Sequence, residues 1–215
     1  MTRKNLVLTL SALLLAGFAG AAFLYQSLAP SEPVVQAPPP NSNLVRFHSP
    51  VIGPAKAPVT IVEFFDPSCE SCRAFYPFVK QVLAEHPEDV RLVIRYTLFH
   101  QASEEASRLL EAARLQNLYQ PVMEAILIAQ PQWHDDPTAV KAWEAAEQVG
   151  LDVQKARADM HLDAIDAMLT TDMKDVERLH IRGTPTFFVN GQPLREFSAE
   201  ALRQQVREEV LKARN

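Results

Sequence analysis

"FFDPSCESCRAFYP", residues 64–77, contains both cysteines of the chain, Cys69 and Cys72, directly after an apolar run. Such a pair can be a structural disulfide, half of a metal site or a redox pair. A structural zinc site needs a second pair of ligands, and the sequence has no other cysteine. A c-type haem needs a histidine after the second cysteine, where Arg73 stands. Because so small a loop gains little entropy from closure, a purely structural disulfide is disfavoured.

The sequence on either side of the cysteines alternates between strand and helix patterns. The run "APVTIVEFF" (57–65) is β-branched and aromatic, which predicts a buried strand. After the cysteines, apolar residues recur at helical spacing, and this helix should end before Pro87. A second strand is predicted at "DVRLVIRYTLF" (89–99). The three elements predict a βαβ unit with parallel strands.

The rest of the chain is mostly helical by pattern. Residues 101–180 predict an almost continuous series of helices, the first of which Ser103 can cap. Two strands joined by an Asn-Gly turn are predicted within 184–197, followed by a last helix that Ser198 can cap. The predicted order is β-α-β, a helical block, then β-β-α.

Length and charge restrict the class of protein. A chain of 215 residues can bury one sizeable core, so we expect one folded domain with an extension. The net charge of −5 and the scattered basic residues give no basic surface for nucleic acid. We therefore expect no nucleic-acid partner.

The N-terminus has the pattern of an export signal. Residues 6–25 carry no charge and are long enough for a membrane-spanning helix, behind a short basic segment. We expect residues 1–4 to be cytoplasmic and residues 5–27 to be an uncleaved anchor, with the remainder outside the cytoplasmic membrane. The alternative is cleavage at the small residues 19–21, which would release a soluble periplasmic protein.

Four features in this order are similar to the thioredoxin fold: "APVTIVEFFD" (57–66), "CESC" (69–72), the helical block, and "RGTPTFFVNG" (182–191). More closely, residues 50–213 resemble the DsbA-like branch of the thioredoxin superfamily. Members of this branch are extracytoplasmic thiol-disulfide oxidoreductases. The resemblance implies an α/β fold in which a mixed sheet is flanked by helices and a helical domain is inserted.

The resemblance also implies a domain organisation. The proline-rich residues 28–43 form a linker. Residues 44–100 and 181–215 form the thioredoxin-like domain, and residues 101–180 form the helical insertion.

The two cysteines take different roles in such an enzyme. Cys69 lies at the start of a helix, where unpaired N–H groups and the helix dipole favour a thiolate, so it is the expected nucleophile. Cys72 lies one turn later and should be more buried, which suits a resolving thiol that releases the partner protein. Together they form the expected redox-active disulfide.

Glu63 is an acid within an apolar strand, six residues before the first cysteine. The resemblance implies that Glu63 is buried, has a raised pKa and relays the proton of Cys72. From the strand pattern alone, its side chain would face solvent or pair with Arg91 or Arg95.

Pro185 precedes a strand that should be central, where its missing N–H would break the ladder unless the chain turns. The resemblance implies a cis-proline loop beside the cysteines, with the backbone of Thr184 contacting the substrate chain. The alternative is an ordinary trans proline at the start of a strand.

The residues between the cysteines differ from those of strongly oxidising relatives, which typically carry Pro-His. Here Glu70 should repel a thiolate at Cys69 and raise its pKa, while Ser71 can offer only a hydrogen bond. We therefore expect Glu70 and Ser71 to contact the substrate and to give a less oxidising disulfide than Pro-His does.

The sequence thus predicts an enzyme that exchanges disulfides with exported proteins and is recycled by a membrane redox partner. We expect a monomer that needs no cofactor or metal, and the direction of electron flow stays open. The alternative function is a tethered metal chaperone that binds Cu(I) through the same two thiolates.

Overall fold

The computed structural model describes residues 43–214. The predicted N-terminal segment, the predicted anchor and nearly all of the predicted linker therefore lie outside the described residues. Within residues 43–214, no helix combines the length and the apolar character that crossing a membrane requires.

A five-stranded mixed sheet forms the centre of the fold, in the order β1-β3-β2-β4-β5. β2 and β3 are parallel, as the predicted βαβ unit requires, and the other neighbours are antiparallel. Asn190 and Gly191 form the turn between β4 and β5, both with positive φ, as predicted. The strands are β1 (Val51–Ile52), β2 (Val59–Phe65), β3 (Val90–Tyr96), β4 (Thr186–Val189) and β5 (Gln192–Pro193).

Helices connect the strands in the predicted order. One helix joins β2 to β3, five helices and a 3₁₀ turn join β3 to β4, and one helix follows β5. They are α1 (Glu70–Glu85), α2 (Ser103–Leu115), α3 (Tyr119–Ala129), the 3₁₀ turn (Gln130–Gln132), α4 (Val140–Gln148), α5 (Val153–Asp159), α6 (Asp163–Arg178) and α7 (Ala199–Arg214). This confirms the predicted thioredoxin fold with inserted helices.

The central strand β2 is buried on both faces, which explains its apolar sequence. On one face, its residues join a core cluster with α1, α7 and the inserted helices. On the other face, Val62 and Phe64 pack with Val176 of α6. The boundaries of the helical insertion stay a prediction, and we propose that α6 belongs with the sheet on which it packs.

A buried ion cluster lies on the α6 face of the sheet. The Arg95 guanidinium is fully buried and donates to Asp172 at 2.9 Å and Asp175 at 2.6 Å. Arg46 and His48, from the first described segment, bind the same two carboxylates at 2.8 and 3.0 Å. We call these five residues the Arg95 cluster. It holds the start of the described chain against the sheet.

Two predicted helix caps have different outcomes. Ser198 caps α7, because its Oγ accepts from the N–H of Ala201 at 3.1 Å. The prediction that Ser103 caps α2 is wrong. Its hydroxyl instead donates to the carboxylate of Asp66, which lies beyond the end of β2. A buried acceptor from another element therefore outcompetes the local cap.

Candidate active site

Cys69 is the N-cap residue of α1 and has an extended backbone conformation. Its side chain is 6% exposed, whereas Cys72, one turn into the helix, is fully buried. Both are free thiols. Cys69 is thus the accessible sulfur at the helix start, and Cys72 lies beneath it, as the sequence predicted.

The surroundings separate the acidities of the two thiols. A hydrogen bond from the Cys72 thiol is the largest contribution that lowers the pKa of Cys69 to about 5. Burial opposes this shift, and the backbone N–H groups of Ser71 and Cys72 at the helix start reinforce it. Burial raises the pKa of Cys72 well above its ordinary value. The site therefore holds one thiolate and one thiol at neutral pH.

Thr184 and Pro185 lie directly beside Cys69. The Thr184–Pro185 peptide bond is cis, and the Thr184 carbonyl oxygen is 3.4 Å from Cys69 Sγ. β4 begins at the next residue and pairs with β2. The alternative of a trans proline is therefore wrong, while the contact of Thr184 with a substrate stays a prediction.

Glu63 lies in the middle of β2, opposite Ile94 of β3 and Phe187 of β4. Its side chain is 1% exposed, and neither carboxylate oxygen has a hydrogen-bond partner. Burial, with a contribution from the charge of Cys69, raises its pKa to about 8. The alternative of an ion pair with Arg95 is wrong, because that arginine binds the aspartates of α6 on the opposite face.

The other candidate ion-pair partner, Arg91, also has different contacts. Its Nε donates to the Thr60 hydroxyl at 2.9 Å, and its guanidinium binds the Ala55 carbonyl at 2.5 Å. Glu63 is therefore a buried carboxyl without a cationic partner.

Glu70 and Ser71 are both exposed at the start of α1. The Glu70 carboxylate lies 3.9 Å from His134 Nε2, and 68% of its side chain is exposed. The prediction that Glu70 raises the pKa of Cys69 is wrong, because solvent screens the carboxylate and the hydrogen bonds at the sulfur dominate. Ser71 acts through its backbone N–H.

The inserted helices hold the active-site loop in place. Gln130 is buried in the 3₁₀ turn, and its Nε2 donates to the Pro67 and Cys69 carbonyls at 2.8 and 3.0 Å. Its Oε1 accepts from Arg73 of α1 at 2.9 Å. The Ser68 hydroxyl donates to the His134 carbonyl at 2.8 Å. Sequence reasoning missed these contacts, because no local pattern marks a long-range amide bond.

A second set of contacts surrounds Asp66, which is fully buried after the end of β2. Its carboxylate accepts from the backbone N–H of Ser68 and of Phe99, both at 2.9 Å. It also binds the Ser103 hydroxyl and, at 2.9 Å, His100 Nδ1. Sequence reasoning missed the pairing of His100 with Asp66. The missed signal is that Asp66 follows β2 and His100 follows β3. These strands are parallel neighbours, so their carboxyl ends meet at one edge of the sheet.

A groove of about 420 Å³ opens at Cys69. It is lined by the loop after β3 and by the segment before β4, namely Phe99, His100, Arg182, Gly183 and Thr184 among others. In residues 43–214, no group of three or more His, Cys, Asp or Glu side chains is placed to hold a metal ion. The groove therefore brings together the Cys69 sulfur, the Thr184 carbonyl and the basic side chains of His100 and Arg182.

The curated relatives that match the chain include antiporters. The chain is 28% identical over 163 residues to the Na(+)/H(+) antiporter NhaA of Herminiimonas arsenicoxydans. This match covers 76% of the present chain and 25% of the antiporter. The chain thus spans about a quarter of the length of the curated relatives that it matches.

Solved structures show the same fold over most of the chain. A thioredoxin-like oxidoreductase from Silicibacter pomeroyi is 29% identical, with a TM-score of 0.68, and the match covers 80% of this chain and 96% of that one. The thiol-disulfide exchange protein alpha-DsbA2 from Wolbachia pipientis is 19% identical, with a TM-score of 0.64, covering 77% and 90%. The chain is therefore similar in fold to DsbA-like proteins, as predicted. Because the family model described as thioredoxin also matches residues 47–208, the chain belongs to the thioredoxin family.

Proposed function

We propose that the protein is a thiol-disulfide oxidoreductase that exchanges disulfides with exported proteins through Cys69 and Cys72. One observation carries the proposal. A low-pKa sulfur lies at a helix start, 3.4 Å from the Thr184 carbonyl, with a second thiol of raised pKa buried behind it. This is the arrangement that a nucleophile and a resolving thiol need.

In the oxidising direction, a substrate thiolate attacks Cys69 Sγ of the disulfide form. A bond forms between the two sulfurs, the bond to Cys72 breaks, and Glu63 donates the proton that neutralises Cys72. A second substrate thiolate then attacks the substrate sulfur and releases Cys69 as a thiolate. Two electrons pass from the substrate to the cysteine pair. A membrane redox partner takes them up and restores the disulfide.

The site residues support this sequence of steps in different ways. The charge of Glu63 contributes to the raised pKa of Cys72, which indicates that the two groups interact. Thr184 presents its backbone beside the sulfur to an extended substrate segment, and Pro185 shapes this loop. Glu70 and Ser71 are exposed and border the substrate.

We also propose that the enzyme is a monomer tethered outside the cytoplasmic membrane by residues 5–27, with the linker 28–43 as a spacer. The uncharged run at residues 6–25 supports a membrane segment. The match to part of a named antiporter is consistent with a membrane setting. Release as a soluble periplasmic protein is the alternative, and N-terminal sequencing of the mature chain distinguishes the two.

An exchange assay tests the proposed activity. The full-length chain, purified in detergent, should oxidise a reduced cysteine peptide or reduce insulin, and Cys69→Ser should abolish turnover. Cys72→Ser should instead accumulate a mixed disulfide, because the nucleophile remains and the resolving thiol is lost. Absence of turnover with stoichiometric Cu(I) binding would favour the metal chaperone. The raised pKa of Cys72 opposes that function, because such a site needs two thiolates.

The reduction potential should be more oxidising than that of thioredoxin. A Cys69 pKa of about 5, against about 7 in thioredoxin, stabilises the reduced form by about 2.3 kcal/mol at pH 7. This free energy corresponds to about 50 mV. Relative to the thioredoxin potential of about −270 mV, the expected potential of the Cys69–Cys72 pair is about −220 mV. Equilibration with glutathione buffers measures it. A value at or below that of thioredoxin would contradict the prediction and would favour a reductase.

A further inference from the structure

His100 is held at the active-site groove by a buried carboxylate. Its Nδ1 lies 2.9 Å from Asp66 Oδ2. Asp66 is fully buried and accepts from three further donors, the N–H groups of Ser68 and Phe99 and the Ser103 hydroxyl, so its position is fixed. In the neutral tautomer that donates from Nδ1, the ring nitrogen Nε2 carries a free lone pair. Within residues 43–214, Nε2 has no hydrogen-bond partner, and 44% of the side chain is exposed.

The same groove contains the nucleophile. His100 and Cys69 line it together, next to Thr184, whose carbonyl is 3.4 Å from the sulfur. The three residues come from three segments at one edge of the sheet. Asp66 directly follows β2, Cys69 precedes α1, and His100 lies in the loop after β3. In this arrangement the carboxylate orients the imidazole, and the imidazole can exchange a proton with a group bound at the sulfur.

We propose that His100, oriented by Asp66, is the general base that deprotonates the incoming substrate thiol at Cys69. This inference rests on the proposed function and adds a catalytic residue to it. His100 takes the proton of the substrate S–H through Nε2, and the resulting thiolate attacks Cys69 Sγ. The Cys69–Cys72 bond breaks, and Cys72 is neutralised by a different proton, that of Glu63. In the reverse direction, protonated His100 returns a proton to the departing substrate thiolate.

The charges around His100 suit this role. In the reduced chain, burial opposes protonation, but the hydrogen bond to Asp66 and the negative charges of Asp66, Cys69 and Asp135 together raise the pKa of His100 above its ordinary value of 6.5. In the disulfide form, which receives the substrate thiol, Cys69 carries no charge, and the contribution of Asp66 remains. Arg182 is a cationic residue that lines the same groove. An imidazole that a carboxylate orients is a suitable base for a thiol whose pKa is about 8.5. Protonated His100 would also attract the substrate thiolate.

The test compares His100→Gln with the wild type from pH 6 to pH 10. Glutamine keeps an N–H donor for Asp66 but cannot accept the proton. The rate measured is the oxidation of a reduced cysteine peptide by the disulfide form of the full chain. At pH 7 only about 3% of a thiol with a pKa of 8.5 is ionised, so deprotonation can accelerate the reaction at most about 30-fold. We expect a loss of about tenfold at pH 7 that disappears above pH 9.5, where the thiol ionises unaided.

His161→Gln is the matched control, because His161 is exposed, does not line the groove and does not contact Asp66. It should keep the wild-type pH profile. A His100→Gln rate within twofold of the wild type at every pH would overturn the inference. So would a deficit that stays constant up to pH 10, since that would indicate a structural role.

An NMR titration keeps this inference separate from the proposed function. The pKa of His100 in the reduced chain should fall in Cys69→Ala, because the thiolate charge is removed. This measurement needs no turnover. If the wild type shows no exchange, the proposed function fails. If exchange occurs, but the His100 pKa is unchanged in Cys69→Ala and the pH profile of His100→Gln matches that of the wild type, only the inference fails.

Discussion

Replacing Glu63 with glutamine should make the reduced protein more stable at neutral and alkaline pH. Glu63 is buried between two neighbouring strands, and neither of its oxygens has a partner. Ionising such a group in the folded state is unfavourable, which is why burial raises its pKa to about 8 from the ordinary 4.5. Glutamine has the same shape as the protonated acid and stays neutral at every pH.

The sign of the effect follows from proton linkage. Between pH 4.5 and pH 8, the folded state retains a proton on Glu63 that the unfolded state loses, so this group lowers the free energy of unfolding as pH rises. The variant should exceed the wild type by roughly 3 kcal/mol at pH 7 and about 5 kcal/mol at pH 9. At pH 4 the two should be nearly equal.

Urea unfolding of both reduced chains at these three pH values measures the difference. Asp175→Asn is the control of opposite sign. Burial alone would raise the pKa of Asp175, but hydrogen bonds from Arg46 and Arg95 outweigh burial and lower this pKa to about 2. The ionised form of Asp175 therefore stabilises the fold above pH 4. If Glu63→Gln is no more stable than the wild type at pH 9, then Glu63 is not an unpaired buried acid.

The same variant should be a slower enzyme. Without a proton to give, residue 63 cannot neutralise Cys72 as that thiol leaves, and we expect exchange to slow by about tenfold or more. Stability and activity should therefore change in opposite directions at this position. Such a trade-off is expected where a strained group is retained for catalysis.

Elements with a strong local pattern could be predicted from the sequence. The apolar run of β2, the helical spacing after Cys72 and the Asn190–Gly191 turn each encode their own backbone conformation, and the structure has all three. The cysteine pair and the Gly-Thr-Pro segment located the centre of the site because their spacing is part of a known fold.

Contacts between distant residues could not be predicted in this way. Gln130 binds the Cys69 carbonyl from 61 residues away, and His100 binds Asp66 across 34 residues. Only the tertiary fold brings these groups together. The effect of Glu70 was misjudged for a related reason. Its charge is adjacent to Cys69 in sequence, but its side chain extends into solvent, so proximity along the chain overstated its influence.

Replacing Arg95 with methionine should destabilise the fold strongly. Arg95 is fully buried and binds two aspartates of α6 and the carbonyl oxygens of Asn43 and Leu44, at 3.0 and 2.7 Å. Methionine fills much of the volume but leaves Asp172, itself fully buried, without its main cationic partner. Removing one member of a buried ion pair costs about 3–5 kcal/mol, because the remaining charge stays desolvated.

Two comparisons separate lost charge pairing from lost packing. Adding Asp172→Asn to Arg95→Met should recover part of the stability, since it removes the unpaired charge, although the amide cannot reproduce every contact. Arg195→Met breaks the exposed ion pair with Glu208 and should leave the unfolding midpoint nearly unchanged. The loss in Arg95→Met should also shrink as pH falls from 4 towards 2, because the wild type then loses the stabilisation that ionised Asp175 gives the fold. A loss that stays the same down to pH 2 would show that packing of the arginine, and not its charge, stabilises the Arg95 cluster.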